Sequence, residues 1–94
     1  MPTHMFDVAE TFDIAGRGLV IATNKTFATL DDVVVRIGDS IAIRRSAADD
    51  LLTSVVGIEH CDPWTPERIF AFLVPDGITK SDVPIGSQIW SVDP

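Results

Sequence analysis

The sequence predicts an all-β domain, a single closed antiparallel β-barrel. Three observations point there. Val and Ile number ten each against five Leu, and Thr adds eight; β-branched side chains favour the pleated strand over the helix. Glycine- and proline-marked turns recur at short intervals along the chain. No stretch carries a convincing amphipathic helix period. The 94 residues suffice for one small domain, and 46% hydrophobic content supplies a core and excludes wholesale disorder. The domain spans residues 1–94, with residues 1–5 expected to fray.

The first strand runs from Phe6 to Ile14. Alternation places Phe6, Val8, Phe12 and Ile14 on one face. Glu10 breaks the pattern, which calls for either a bulge or an inward carboxylate near the strand end. Ala15-Gly16-Arg17-Gly18 reverses the chain, and Leu19–Thr23 returns as the second arm of a hairpin. Asn24–Asp32 reads as a connection, Val33–Val35 as a short strand, and Ile37–Ser40 as a tight turn. Ser40–Arg45 alternates again, with Ile41 and Ile43 inward. Ser46–Asp50 is a polar tip, and Leu51–Cys61 a long strand in which Gly57 marks a bulge. Asp62-Pro63-Trp64-Thr65-Pro66 is a stiff loop. Arg68–Val74 is the most apolar strand and so a central one. After the Pro75-Asp76-Gly77 turn, Thr79–Val83 fits one helical turn, and Gln88–Val92 is the last strand.

Charge bounds the partners. Seven basic against fourteen acidic residues give a net −7. Such a surface repels phosphate and forgoes the counterion release that drives non-specific nucleic-acid binding. It also disfavours an anionic membrane, and no apolar run approaches the ~18 residues of a membrane-spanning helix. A lone cysteine, Cys61, has no internal disulfide partner, and the amino terminus lacks a signal-peptide pattern. A cytoplasmic setting is expected.

Few residues offer catalytic chemistry. His60-Cys61-Asp62 holds nucleophile-site residue types, but strand neighbours point to opposite faces. His4 and His60 have no metal-ligand spacing, and the pairs Asp31-Asp32 and Asp49-Asp50 lack the alternation of a calcium loop. No metal and no cofactor is expected. Arg44-Arg45 with nearby Arg36 is the one positive cluster, set in an acidic protein. Glu10 and Glu59 qualify as a carboxylate pair for acid–base work only if both line one groove. Trp64, framed by Pro63 and Pro66, is either a lid over the barrel end or an aromatic displayed for a partner.

In order along the chain, three motifs resemble domain II of the translational GTPases such as elongation factor Tu. Glu10–Val20, with Phe12 and Gly16-Arg17-Gly18, is similar to the family's opening hairpin. Val35-Arg36-Ile37-Gly38-Asp39-Ser40-Ile41-Ala42-Ile43 is similar to its Gly-Asp turn into a strand. Gly77–Ile89 is similar to its closing stretch. The likeness covers roughly Phe6 to Val92 and implies the domain II barrel.

In that family the barrel holds the aminoacylated end of transfer RNA. By resemblance Glu10, Phe12 and Glu59 match pocket positions, whereas Ala22 stands at a pocket threonine and Asp62 near a pocket arginine. An acid in place of a base beside a nucleic-acid end costs on the order of 1 kcal/mol in water at ~4 Å, and several times that when partly buried. The phosphate-binding motif G-x-x-x-x-G-K-[ST] is absent, so GTP binding by this chain alone is not expected. The expected function is a non-enzymatic protein-binding adaptor or inhibitor, for which a toxin-neutralising immunity protein is one special case. Its expected docking elements are the acidic surface, the hairpin around Phe12 and the Trp64 loop; the resemblance gives Glu10, Phe12 and Glu59 as binding residues, and Arg17 and Trp64 are candidate partner contacts. The alternative is a translation-associated module that binds an aminoacyl or RNA end.

Overall fold

The computed structural model describes residues 2–30, 33–60 and 62–92. Asp31, Asp32 and Cys61, singled out above, lie outside the described residues. Among the described residues the chain forms seven strands: β1 (His4–Ile14), β2 (Gly18–Thr26), β3 (Ser40–Arg45), β4 (Ala48–Ser54), β5 (Gly57–Glu59), β6 (Ile69–Val74) and β7 (Gln88–Ser91). Two single 3-10 turns, Phe27–Thr29 and Lys80–Asp82, interrupt them. All pairings are antiparallel, in the order β4-β3-β7-β1-β2-β6-β5. No helix among the described residues is long and apolar enough to cross a membrane.

The all-β class holds, but the sheet is not closed. Its two edge strands, β4 and β5, are consecutive in the chain and do not pair with each other. Only Val55 and Val56 separate them. Val55 donates its N–H to the Asp39 carbonyl at 2.9 Å, beside β3, and Val56 donates to the Leu73 carbonyl of β6 at 2.8 Å. One run of backbone is thus handed from one flank of the sheet to the other. A run that changes flanks this way leaves no second strand to complete a ladder around the core. The long strand expected over Leu51–Cys61 is divided for the same reason.

Strand inner faces meet in one core. Phe6 and Val8 of β1, Leu19 and Ile21 of β2, Ile41 and Ile43 of β3, Phe70, Phe72 and Val74 of β6, and Ile89 of β7 are all buried there. Each such side chain contributes roughly 1.5–3 kcal/mol on leaving water. Leu51 of β4 and Ile58 of β5 pack against it from the two edges.

Several boundaries differ from the sequence expectation. β1 takes in His4 and Met5, which were expected to fray; Thr3 and Ser91 tie this end down, the Ser91 N–H donating to the Thr3 carbonyl at 2.8 Å. β2 extends to Thr26 rather than ending at Thr23. Beyond Ala22 the β2–β6 register shifts, and the buried Thr23 hydroxyl donates to the Phe70 carbonyl at 2.8 Å, engaging a carbonyl that the ladder misses there. Val33–Val35 forms no strand; Val33 and Val35 pack partly buried against the core.

The most consequential difference is in β1. Val8 pairs with Thr23 but Glu10 with Ala22, so the register shifts around Ala9. The shift lies where β1 passes from pairing with β7 to pairing with β2. It inverts the faces of everything that follows. Thr11 becomes the buried residue, while Phe12 turns outward at 51% exposure with Ile14 only half-buried. The expected sharing of one face by Phe6, Val8, Phe12 and Ile14 is therefore corrected: the bulge that Glu10 signalled is real, and its consequence reaches to the end of the strand.

Candidate functional site

On the outer face of β1, β2, β6 and β5 the register builds two cross-strand rows. One runs Phe12–Val20–Leu73–Gly57; the other runs Glu10–Ala22–Ala71–Glu59. In the second row two alanines separate two carboxylates. Small side chains in the middle leave a trough, because their flanking neighbours stand taller on the pleated surface.

The trough is a groove of about 580 Å³, within the roughly 300–1,000 Å³ typical of ligand sites. Ala22 and Ala71 lie in it, with Phe12, Ile14, Val20 and Ile69 adding apolar lining. Ile69 is 55% exposed. Glu10, Glu59, Glu67 and Arg68 supply the polar lining. Glu10, Phe12 and Glu59, which the sequence reading drew from distant parts of the chain, thus line one concavity.

Arg17 reaches the same groove rim. Its guanidinium donates Nη2 to Oε1 of Glu59 at 2.6 Å. The Gly-Arg-Gly turn explains the projection. The Arg17 N–H donates to the Ile14 carbonyl at 3.0 Å, and the glycines on either side take φ of 79° and 119°. At Gly18 a Cβ would lie 2.6 Å from the Val74 carbonyl oxygen. The turn therefore packs backbone to backbone on β6, and Arg17 is carried toward β5. The ion pair is solvent-exposed and contributes roughly 0.2–1 kcal/mol.

Trp64 does not line this groove. Its ring meets Phe27 edge-on at 5.4 Å, and Phe27 meets the buried Phe70 edge-on at 5.2 Å. His60 stacks on Phe27 at 5.4 Å. Trp64 covers Phe27 while remaining 46% exposed, so it is at once a partial cover and an exposed aromatic. The main-chain bonds from Phe27 to Arg68 and from Ala28 to Pro66, at 3.0 and 2.8 Å, hold the Trp64 loop to the end of β2.

Arg44 and Arg45 of the basic cluster are engaged internally. Arg44 lies 4.6 Å from the centre of the Trp90 ring and 3.5 Å from Asp50. Arg45 donates to the backbone carbonyls of Asp49 and Asp82. No group of three His, Cys, Asp or Glu residues among the described residues is arranged to hold a metal ion. Glu10 and Glu59 stand three strand spacings apart, roughly 14 Å at the backbone, and do not form a carboxylate pair sharing one proton.

The resemblance placed Ala22 at a pocket position, but Ala71 and Ile69 were missed: they belong to a strand that reads as apolar on both faces, so nothing distinguished inward from outward positions. Glu67 and Arg68 sit in the approach to β6, and their place beside Glu10 depends on tertiary pairing alone. The chain matches no protein-family model, and no curated protein is similar to it in sequence.

Proposed function

We propose that this chain is a non-enzymatic protein-binding module of the translation-factor domain II type, an adaptor or inhibitor that docks its partner in the outer groove. The observation that carries this reading is the gathering of Glu10, Phe12 and Glu59 around an apolar trough. Exposed Phe12 and Ile69 bring apolar area that gains from being covered. The acidic balance of the chain selects a partner with positive charge. The three motifs quoted above support the domain II kinship, and the open ladder is a departure from that family's closed barrel.

The second reading, a module for an aminoacyl or RNA end, rests on the same three residues. The carboxylates lining the groove weigh against it, since they repel phosphate. Affinity purification from the native cell, with mass spectrometry and RNA sequencing of one eluate, separates the two. Wild type is compared with Ala71→Trp, which fills the groove from its floor. The docking reading expects a protein that is enriched by wild type and lost with Ala71→Trp. An RNA that behaves this way instead supports the second reading, and a protein retained by Ala71→Trp overturns docking in the groove.

A further inference from the structure

The groove is selective in charge as well as shape. Three carboxylates and two guanidinium groups lie at or beside it, but they are not equivalent. Glu59 is engaged by Arg17. Arg68 donates Nε to the Pro63 carbonyl at 3.2 Å, within its own loop. Among the described residues Glu10 accepts the N–H of the adjacent Thr11, at 3.3 Å, and joins no ion pair. Glu67 is exposed and joins no ion pair among the described residues. The Pro63 carbonyl leaves the Arg68 charge in place, so three carboxylates against two guanidinium groups leave the groove net negative by one, in a chain of net charge −7.

The floor also fixes a length. Glu10 and Glu59 end a row of four adjacent strands, so their backbones are about 14 Å apart, from three spacings of ~4.8 Å. Ala22 and Ala71 lie between them. An extended chain advances ~3.3 Å per residue and presents alternate side chains to one face. Residues four apart span about 13 Å, with the residue midway between them facing the same way. A cation at each end of that span meets Glu10 and Glu59, and an apolar side chain at its centre meets the two alanines between Phe12 and Ile69.

Resting on the docking reading, we propose that the groove receives an extended basic segment of a partner protein, with cation, apolar residue and cation at alternate positions. Lys-x-Leu-x-Lys is its simplest form. The segment lies across the strands. Its leading cation pairs with Glu10, its apolar side chain fills the trough, and its second cation competes with the exposed Arg17 guanidinium for Glu59. Glu67 adds negative potential from the segment preceding β6. A polyanion or an acidic segment meets repulsion in the same place.

Titration of the 15N-labelled protein with acetyl-Lys-Ser-Leu-Ser-Lys-amide tests this. The expected result is a set of amide shifts centred on Phe12, Ala22 and Ala71. The affinity should fall about fivefold in the Glu10→Gln/Glu67→Gln double variant. Replacing the peptide leucine by serine, or both lysines by glutamate, should remove the shifts. Equal binding of the glutamate peptide, an unchanged affinity in the double variant, or shifts lying away from the groove would overturn the proposal. Failure here, while Ala71→Trp still releases the captured partner, rejects the basic motif and leaves docking standing. Failure of Ala71→Trp to release any partner rejects docking itself.

Discussion

A single glycine shows how closely sequence and geometry are tied at the opening hairpin. Gly18 combines φ of 119° with an approach to the Val74 carbonyl that leaves no room for a methyl group. Gly18→Ala should lower unfolding free energy by about 2 kcal/mol or more, measured by urea denaturation. Gly16, by contrast, has open space where a Cβ would sit, so only its positive φ resists substitution. Trp64 sits at the opposite extreme of constraint. Half exposed and held by an edge-on contact with Phe27 and a looser tilted one with His60, it should cost only about 1 kcal/mol on change to Ala. The same denaturation assay checks it, and a loss of several kcal/mol would make it a true lid.

At the scale of elements, the short turn before Val83 is held by charge. Asp82 accepts the Thr79 N–H at 2.9 Å and the Thr79 hydroxyl at 3.1 Å. These bonds, the backbone one foremost, hold its carboxyl below the usual carboxylate value, with a smaller contribution from Arg45. A depressed folded pKa stabilises the fold above the ordinary carboxylate pKa, and the stabilisation is lost as pH falls through the depressed one. Asp82→Asn should therefore melt below wild type at neutral pH, with the gap narrowing as pH falls below the ordinary carboxylate range. The elements themselves were largely legible. β3 and β6 and the turn near Thr79 follow from alternation, apolar runs and a polar cap. The breakdown at Val33–Val35 was not legible, because three consecutive valines suit a strand equally whether or not a neighbour is free to pair. The division of Leu51–Cys61 was hidden for a related reason: Gly57 announces an irregularity, but which edge each half joins is a property of the whole sheet.

For the whole molecule, curvature matters more than closure. The sheet bends far enough to enclose one core, yet its ladder stays open at β4 and β5. Each of these strands has one paired neighbour, whereas β1, β2, β3, β6 and β7 each have two. Hydrogen exchange should accordingly be fastest among strand amides in β4 and β5 and slowest near Ile21 and Ile89. Uniform protection across all seven strands would contradict an open ladder. Asp49 and Asp50 on β4 place like charges at that edge, which discourages pairing with a second copy. The candidate site was half legible at this scale. Glu10 betrayed the bulge by sitting out of phase, but the inversion that turns Phe12 outward follows only once β2 fixes the register. The functional account depends on that inversion, and cysteine labelling reads it directly. In a Cys61→Ser background, Phe12→Cys should alkylate at close to the rate of a free thiol, and Thr11→Cys should be strongly protected. The reverse order, with position 11 reactive and position 12 shielded, would place Phe12 in the core and remove the groove.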